Sequence, residues 1–372
     1  MVNSSRVLNE FINLVKIDSP SGEERQIANY LKERLTSIGM EVVEDSAAQS
    51  IGTDTGNLIA RLPGVAGIPT IFFSAHMDTV PGRGIIPVVR DGAIYSASDT
   101  ILGADDKAGI AAILEAMQIL KEQKVKHGAI EILFTVGEEQ GLQGAKAIDL
   151  EQITASMGFI LDSNGEIGSI IVQGPCQNVV EATITGKAAH AGINPEDGIS
   201  AIQVAARAVN SMRLGRIDEE TTANLGVIQG GEARNIVPEK VYLKGETRSL
   251  KRYRLDFETS YMQECLEKAA QEFGAQVQIE VKLLYPEFQL SETDSVVRIA
   301  QEAVRRIGHQ PSLDKSGGGS DANILNARGL SCVNLGIAMH QVHTRDEHIF
   351  IKDLDLLPQY LVEICRKVSE PI

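Results

Sequence analysis

The most constraining feature of this sequence is the order of its apolar segments, in which short runs rich in β-forming residues alternate with long helical stretches. Apolar residues recur at helical spacing over residues 7–16 and 23–38, which predicts two amphipathic helices. Four short apolar runs predict strands at residues 57–61, 70–74, 129–136 and 158–161. A further helix is predicted from about residue 106 to 124, between the second and third strands. Strand, helix and strand in this order indicate an α/β fold with a mixed, mostly parallel sheet sandwiched by helices.

The pattern changes after Pro175, where a second unit is predicted. Its elements alternate as strand, helix, strand, strand, helix and strand, at residues 179–185, 199–212, 224–228, 241–248, 253–273 and 276–284. The first pattern then resumes, with a helix at 295–307, a strand at 331–337 and a closing helix near 356–368. Because the chain has 372 residues, it is long enough for two domains. We therefore expect an α+β domain with βαββαβ order at 176–289, inserted into a catalytic domain formed by 1–175 and 290–372.

The composition excludes several classes of function. The chain has 50 acidic and 35 basic residues and a formal net charge of -15, which disfavours binding to nucleic acid and to anionic membranes. The N-terminus lacks a basic start followed by an apolar run, and no apolar stretch is long enough to span a bilayer. The four cysteines show no CxxC spacing and indicate reduced thiols. We expect a cytoplasmic protein.

Five motifs contain histidine or carboxylate side chains at positions where turn residues are usual. They are SAHMDTV at 74–80, GADDKAG at 103–109, TVGEEQG at 135–141, LDSNG at 161–165 and HQVHTRDEH at 340–348. Each motif alone has an ordinary explanation as a turn, a helix N-cap or a polar surface loop. Four of them follow predicted parallel strands, however, and the second opens the helix between two strands. Because the carboxyl ends of parallel strands meet in one crevice, we expect the five motifs to converge.

The spacing within these motifs suits metal chemistry. His76 and Asp78 share a face of an extended chain, so the carboxylate can anchor the imidazole ring. The adjacent pair Asp105–Asp106 would be costly at a buried helix start unless a cation offset its charge. Glu138 and Glu139 allow one carboxylate to bind metal while the other moves protons.

The nature of the side chains predicts the metal. Imidazole and carboxylate ligands without thiolate suit zinc, with manganese or cobalt as substitutes, whereas calcium would require oxygen ligands alone. The five motifs offer more ligands than one zinc ion needs. Two ions about 3.5 to 4 Å apart, bridged by a carboxylate and a water molecule, would use them all. We therefore predict two zinc ions per subunit.

The chain resembles the M20 metallopeptidases, and within them the peptidase T-like branch. The resemblance rests on HMDTV, GADDKAG, GEEQG, LDSNG and VHTRDE, which occur in this order, and on the inserted βαββαβ unit. It implies that His76 and Asp162 hold one zinc ion, that Glu139 and His343 hold the other, and that Asp105 bridges both. Among the histidines at 340, 343 and 348, the family spacing to the glutamate at 347 selects the middle one.

The resemblance also implies roles for the neighbours of these ligands. Asp78 would orient the imidazole of His76, and the peptide bond between Asp105 and Asp106 would be cis. Glu138 would be the general base, which takes a proton from the metal-activated water and passes it to the departing amine. No ligand role requires Glu138, which argues against the reading of this chain as a non-enzymatic metal-binding protein.

The implied activity is that of an exopeptidase acting on short peptides, above all tripeptides, in the manner of an aminopeptidase. An N-acyl-amino-acid deacylase or a related amidohydrolase with the same metal centre is the alternative. Both remain open because the substrate pocket, and not the metal centre, sets substrate choice.

The inserted domain contributes a second set of candidates. The resemblance implies that His190 helps to hold the oxyanion and that Asn235 and Arg248 bind carboxylate or carbonyl groups of the substrate. In dimeric relatives this histidine reaches into the partner's site, so we expect a homodimer formed through the inserted domain. The glycine-rich loop before the short helix near 321 is either a flexible linker or a substrate site. In the second case, the backbone amides of Gly319 and Ser320 would bind a substrate carboxylate.

Overall fold

The structure is a computed structural model of the chain and describes residues 2–370. These residues divide into two compact units. The first unit comprises residues 2–173, Gln289–Lys315 and 320–370, and the second comprises Gly174–Phe288 and Ser316–Gly319. The second unit is therefore an insertion in the first, and it includes part of the glycine-rich loop. None of the helices within residues 2–370 has both the length and the apolar character needed to cross a bilayer.

The segment before the insertion contains five helices and eight strands within the described residues. In chain order they are α1 (Ser4–Val15), α2 (Arg25–Ile38), β1 (Glu41–Glu44), α3 (Ala47–Ile51), β2 (Leu58–Leu62), β3 (Ile71–His76), β4 (Pro87–Arg90), β5 (Ala93–Ser96), α4 (Ala104–Glu122), β6 (Ile130–Thr135), α5 (Gln143–Ala147), β7 (Met157–Ser163) and β8 (Ser169–Gly174), with a 3-10 turn at Leu150–Gln152. Helix α1 buries Val7, Phe11 and Leu14, the face that helical spacing predicts. Helix α2 ends at Gly39, whose φ of 102° is the left-handed conformation that glycine adopts at low cost.

The second unit is an antiparallel sheet with two helices packed on it. Its elements are β9 (Cys176–Thr185), a 3-10 turn at Pro195–Asp197, α6 (Ala201–Ser211), β10 (Gly215–Asp218), β11 (Thr221–Gly230), β12 (Lys240–Ser249), α7 (Arg252–Phe273) and β13 (Gln276–Tyr285). The strand order is β10-β11-β12-β9-β13, and each strand runs antiparallel to its neighbours. The predicted βαββαβ order lacked β10, because this strand is short and largely exposed and shows no apolar alternation.

The rest of the first unit follows the insertion. Its elements are β14 (Phe288–Gln289), α8 (Ser295–Arg306), β15 (Ser312–Lys315), α9 (Asp321–Ala327), β16 (Cys332–Gly336), β17 (Met339–His340), β18 (His348–Phe350) and α10 (Ile351–Val368). Strands β17, β18, β5 and β4 form a small separate antiparallel sheet, which the sequence did not predict because its strands are short.

The main sheet confirms the predicted fold class. Over the described part of the chain it contains nine strands in the order β1-β2-β6-β3-β7-β16-β8-β14, with β15 beside β8. The central strands β6, β3, β7 and β16 run parallel, whereas β1 and β2 are antiparallel additions at one edge. Strands β3 and β6 are buried along their whole length, and α4 is buried on nearly all sides, so the centre of this unit is continuous apolar core.

Candidate metal centre

The candidate site lies at the edge of the main sheet where its parallel strands end. His76 is the last residue of β3, Asp162 lies at the end of β7, and Glu139 follows β6 in a tight turn. Because these strands run parallel, their carboxyl ends meet at the same edge. The hairpin β17–β18, which follows β16, carries His343 to the same place. Asp105 lies in the first turn of α4, so the fold brings the five predicted ligands together from five separate segments.

Asp105 lies at the centre of this cluster, between the two histidines. Its Oδ1 is 3.1 Å from Nε2 of His76, and its Oδ2 is 3.1 Å from Nε2 of His343. On one side, Oδ1 of Asp162 lies 3.8 Å from the same His76 nitrogen. On the other side, Oε1 of Glu139 lies 2.8 Å from Nε2 of His343. Asp105 thus directs one oxygen toward each half of the cluster.

Two sets of three side chains within the described residues place ligand atoms within 4.8 Å of one another. One set consists of His76, Asp105 and Glu139, and the other of His76, Asp106 and Asp162. Asp106 was not among the predicted ligands. Its Oδ2 accepts a hydrogen bond from the backbone N–H of His76 at 3.2 Å, and its buried Oδ1 has no partner among the described residues. The peptide bond between Asp105 and Asp106 is cis, as the family resemblance implied.

The balance of charge in this cluster fits divalent cations. Burial raises the pKa of the Asp162 carboxyl well above its usual range, and the negative charge of Asp105 raises it further. Burial also opposes ionisation of Asp105, but hydrogen bonds with His343 and His76 outweigh it and lower its pKa. Hydrogen bonds with Asp105 and Glu139 raise the pKa of His343 to about 10. Carboxylates in such excess over histidines are favourable together only when a cation offsets their charge.

Helix α4 approaches the cluster closely at Gly109. A Cβ atom at this position would lie 2.4 Å from Oδ1 of Asp106 and 2.7 Å from the carbonyl oxygen of Leu161. Only glycine therefore allows the helix to pack against the end of β7. This contact explains the last glycine of the GADDKAG motif.

Asp78 contacts His76 through its main chain as well as through its carboxylate. Nδ1 of His76 lies 2.9 Å from the backbone carbonyl oxygen of Asp78 and 3.4 Å from its carboxylate oxygen Oδ1. The carboxylate also accepts hydrogen bonds from the backbone N–H groups of Glu138 at 3.0 Å and Glu139 at 3.2 Å, and from the hydroxyl of Ser21 at 2.6 Å. Asp78 therefore lies against the ring and at the same time supports the glutamate turn through its side chain.

A second buried carboxylate supports the same turn. Oε1 of Glu24, just before α2, accepts a hydrogen bond from the backbone N–H of Gly137 at 3.0 Å, and Oε2 has no partner among the described residues. Burial raises the pKa of Glu24 to about 7. Three successive amides, at residues 137, 138 and 139, thus donate to carboxylates that are themselves fully buried.

Glu138 is held by its backbone while its side chain stays free. The residue is 8% exposed, and no described residue forms a hydrogen bond with its carboxylate. Burial, followed by the negative charge of Asp162, raises its pKa well above the usual range. A carboxylate that is nearly buried and has no partner is suited to accepting a proton from a bound molecule.

Several buried charged residues around the site were not predicted to contribute to it. Both carboxylate oxygens of Glu347 accept hydrogen bonds from backbone amides at the start of α4. Asp321 accepts a hydrogen bond from the hydroxyl of Thr135 at 2.6 Å, and burial raises its pKa to about 6. The Nζ of Lys107 donates to the carbonyl oxygen of Ile17 at 2.7 Å, and burial lowers its pKa to about 8. The only sequence feature that could have indicated these three residues is their position inside or beside the motifs.

The predicted substrate-binding residues of the second unit lie in loops and on a strand. His190 is exposed and forms a β-bridge with Ile236, and the backbone N–H of Ala191 donates to the carbonyl oxygen of Asn235. His190 and Asn235 therefore lie close together. Arg248 lies on β12 and forms an ion pair with Glu246, with 2.9 Å between Nε and Oε1.

The glycine-rich loop contributes one predicted residue to each unit. Gly319 belongs to the second unit, and a Cβ atom there would lie 2.3 Å from the ring of Tyr285. Ser320 caps α9 in the first unit, and its backbone N–H donates to Oδ1 of Asn323 at 3.0 Å. The Ser320 amide therefore already has a partner within the cap of α9.

Comparison with known proteins gives relatives that match nearly the whole chain. A crystal structure of aminopeptidase PepT from Bacillus cereus is 46% identical, with a TM-score of 0.89, and the match covers 99% of this chain and 100% of that chain. A crystal structure of a tripeptidase from Staphylococcus aureus is 42% identical, with a TM-score of 0.94 and 99% of both chains covered. Peptidase T from Clostridium botulinum is 27% identical over 96% of this chain and 98% of its own.

Residues 72–367 match a protein family described as peptidase family M20/M25/M40. The matched range contains all the motifs on which the resemblance rests. The match and the relatives confirm both the predicted family and the predicted enzyme class, a hydrolase of peptide bonds. The chain belongs to peptidase family M20/M25/M40.

Proposed function

We propose that this chain is a dinuclear-zinc exopeptidase that releases a terminal residue from short peptides, above all tripeptides. The observation that carries the proposal is the position of Asp105, with one oxygen directed toward His76 and the other toward His343. The names of two relatives, an aminopeptidase and a tripeptidase with 46% and 42% identity, support the substrate class.

The proposed metal ligands are those of the central cluster. His76 and Asp162 would hold one zinc ion, Glu139 and His343 the other, and Asp105 both. Manganese or cobalt would be accepted by the same imidazole and carboxylate donors. When bound, such ions polarise the substrate carbonyl and lower the pKa of water.

Glu138 is the proposed general base, and Asp78 is its support. A carboxylate oxygen of Glu138 takes a proton from the attacking water and later donates it to the nitrogen of the departing amine. Glu138 is nearly buried, and its carboxylate forms no hydrogen bond with any described residue; both features support this role. Asp78 holds the backbone of Glu138 and Glu139, which keeps the base and a ligand in a fixed relation.

The second unit is proposed to bind substrate and to form a homodimer. His190 would hold the oxyanion, and Asn235 and Arg248 would bind carboxylate or carbonyl groups. The loop at Gly319 and Ser320 would bind a substrate carboxylate, chiefly through the Gly319 amide, because the Ser320 amide already donates to Asn323. The proposed domains are a catalytic one at 1–175 with 290–372 and a lid or dimerisation one at 176–289.

Exposed apolar side chains of the second unit bear on the proposed dimer, and the cysteines of the chain bear on its proposed location. The proposed interface would cover exposed apolar side chains of the second unit, among which Ile193, Ile228 and Ile202 are 76%, 57% and 44% exposed. The four free buried cysteines are consistent with the proposed cytoplasmic location. Sedimentation of the purified protein tests the dimer, and cell fractionation tests the location.

A substrate comparison tests the proposed activity. The metal-free protein would be reconstituted with zinc, manganese or cobalt and given a tripeptide with a free amine and the same tripeptide after N-acetylation. We expect the free tripeptide to be cleaved and its N-acetylated form to resist. Preference for the acylated form would favour the deacylase alternative. Failure to cleave any of a broad panel of peptides and acyl-amides would leave a non-enzymatic metal-binding protein.

A further inference from the structure

One buried carboxylate outside the proposed ligand set connects two segments that carry ligands. Glu347 is 1% exposed. Its Oε2 accepts hydrogen bonds from the backbone N–H groups of Leu102 and Gly103, both at 2.9 Å. Its Oε1 accepts a hydrogen bond from the backbone N–H of Asp105 at 3.1 Å. Both oxygens of Glu347 therefore bind the segment that ends in the proposed bridging ligand.

The three amides that donate to Glu347 need an acceptor from outside their own helix. They lie just before α4 and in its first turn, where N–H groups have no carbonyl oxygen four residues earlier to bind. The positive end of the helix dipole also favours a negative charge at this point. Because Glu347 is buried, water is not available as a substitute acceptor for these amides.

Glu347 lies on the same hairpin as a second proposed ligand. The loop between β17 and β18 contains both His343 and Glu347, and Nε2 of His343 lies 3.1 Å from Oδ2 of Asp105. The His343 side chain is 47% exposed, so packing alone holds it weakly. Arg345 and Asp99 also link the two segments, with 2.5 Å between Nη1 and Oδ1, but their side chains are 71% and 78% exposed and such pairs contribute little.

We propose that Glu347 is a positioning residue that fixes Asp105 relative to His343 and thereby sets the affinity of the site for one of its two divalent ions. The inference rests on the proposed function and assigns a role to a side chain that touches neither metal nor substrate. Groups that orient metal ligands typically change metal affinity about 10- to 100-fold when they are replaced. We expect a loss of this size at the ion held by Glu139, His343 and Asp105.

The central test is Glu347→Gln in the full-length protein. Glutamine keeps the shape of the side chain, but its NH2 group must face at least one of the three backbone N–H groups, whichever way the amide is turned. Metal-depleted protein would be titrated with zinc alone against a chelating competitor, and cobalt absorption spectra would report the ligand geometry of each ion. The rate of tripeptide cleavage, separated into kcat and KM, would be measured in parallel.

Glu131→Gln is the matched control. Glu131 is also fully buried and accepts hydrogen bonds from backbone amides, those of Thr154 and Ala155, but it lies near the opposite end of β6. Glu131 also accepts from the Thr154 hydroxyl and forms an ion pair with Arg61, so the same substitution there disturbs at least as many contacts, away from the cluster. Glu347→Asp is a second variant, which keeps the charge but shortens the reach. We expect its zinc affinity to fall between those of wild type and Glu347→Gln.

The outcomes separate a positioning role from a general loss of stability. One zinc ion bound about 10- to 100-fold more weakly in Glu347→Gln, with wild-type affinity in Glu131→Gln, would support the inference. Wild-type affinity for both ions in Glu347→Gln, or an equal loss in Glu131→Gln, would overturn it. If Glu347→Gln does not fold, Glu347→Asp decides by the same comparison. If wild-type protein binds two ions but cleaves no peptide, the proposed function is wrong. The comparison of zinc affinities still tests the positioning role of Glu347 in that case.

Discussion

Replacement of Asp78 by asparagine tests whether a buried carboxylate holds the proposed base in place. The change turns one side-chain oxygen into an NH2 group and leaves the shape nearly unaltered. Oδ1 accepts from the backbone N–H of Glu138, and Oδ2 accepts from the backbone N–H of Glu139 and from the Ser21 hydroxyl. In either orientation of the asparagine amide, its NH2 group therefore meets a backbone N–H. Asp78 is 0% exposed, so water is not available to replace the lost acceptor.

The expected magnitude follows from these contacts. At least one charge-assisted hydrogen bond is lost, which costs about 1.5 to 3 kcal/mol when a buried donor is left without an acceptor. If the displaced turn carries this cost into the transition state, kcat should fall roughly 10- to 150-fold. The side chains of the five proposed ligands are unchanged, so both metal ions should remain bound.

Three measurements on the zinc-loaded protein check this expectation: tripeptide turnover at saturating substrate, metal content and unfolding in urea. Ser21→Ala is the matched control, because it removes the hydroxyl donor to Asp78 and leaves intact both hydrogen bonds that Asp78 accepts from backbone N–H groups. We expect it to lower the free energy of unfolding by about 1 kcal/mol and to leave kcat close to that of wild type. Equal kcat values for Asp78→Asn and Ser21→Ala would refute the supporting role of Asp78.

Three further substitutions probe the base, a buried support and the close approach of α4. Glu138→Ala removes no proposed ligand, so metal analysis should find both ions while peptide turnover is nearly lost; undiminished turnover would dismiss the proton transfer. Burial raises the pKa of Glu24 from 4.5 to about 7, so the native state binds the proton more tightly than the unfolded chain, and wild-type stability falls as pH rises from 4.5 to about 7. Glu24→Gln lacks this loss and should gain up to about 3 kcal/mol on wild type between pH 5 and 8 in urea unfolding, whereas parallel pH curves would contradict the shift. Gly109→Ala would place a Cβ atom 2.4 Å from Oδ1 of Asp106. We expect this clash to lower the free energy of unfolding by about 1 to 3 kcal/mol and to weaken zinc binding. An unchanged melting temperature and an unchanged zinc affinity would disprove the expectation.

Four of the five proposed ligands stand out in the sequence because each lies at or just beyond the end of a strongly apolar segment, whereas His343 lies in a polar loop and only the family spacing selects it. His76 ends a strand that is buried along its whole length, and Asp105 stands at the start of a helix that is buried on nearly all sides. A charged side chain at such a boundary is surrounded by apolar core, where burial of an unpaired charge destabilises the fold. Its presence there therefore indicates a function. The parallel order of the strands then determined that these boundaries would meet.

The supporting residues could not be found in this way. Glu24 stands in the polar segment SPSGEER, where a buried glutamate and a surface glutamate at a helix start have the same local sequence. Glu347 binds amides that lie more than 240 residues earlier in the chain, and only the folded chain brings them together. The contact of Asp78 with His76 through the backbone carbonyl was also missed, because spacing predicts which side chains share a face and not which atom makes the contact.

These supports carry the same sign of charge as the site that they hold. Glu24, Asp78 and Glu347 accept hydrogen bonds from six backbone amides, at 137, 138, 139, 102, 103 and 105, and all three are buried beside a cluster already rich in carboxylates. In place of Asp78 or Glu347, a neutral asparagine or glutamine would repel fewer charges, but its NH2 group would meet a backbone N–H. Glu24 differs, because it accepts from one amide only and its Oε2 has no partner among the described residues. At Asp78 and Glu347 a negative support therefore fits the backbone best, although it raises the electrostatic cost of the unfilled cluster. Bound cations offset that cost, so each support should stabilise the fold more strongly in the metal-loaded protein than in the metal-free protein. The same buried carboxylates therefore link metal binding to the rigidity of the turn that carries the proposed base.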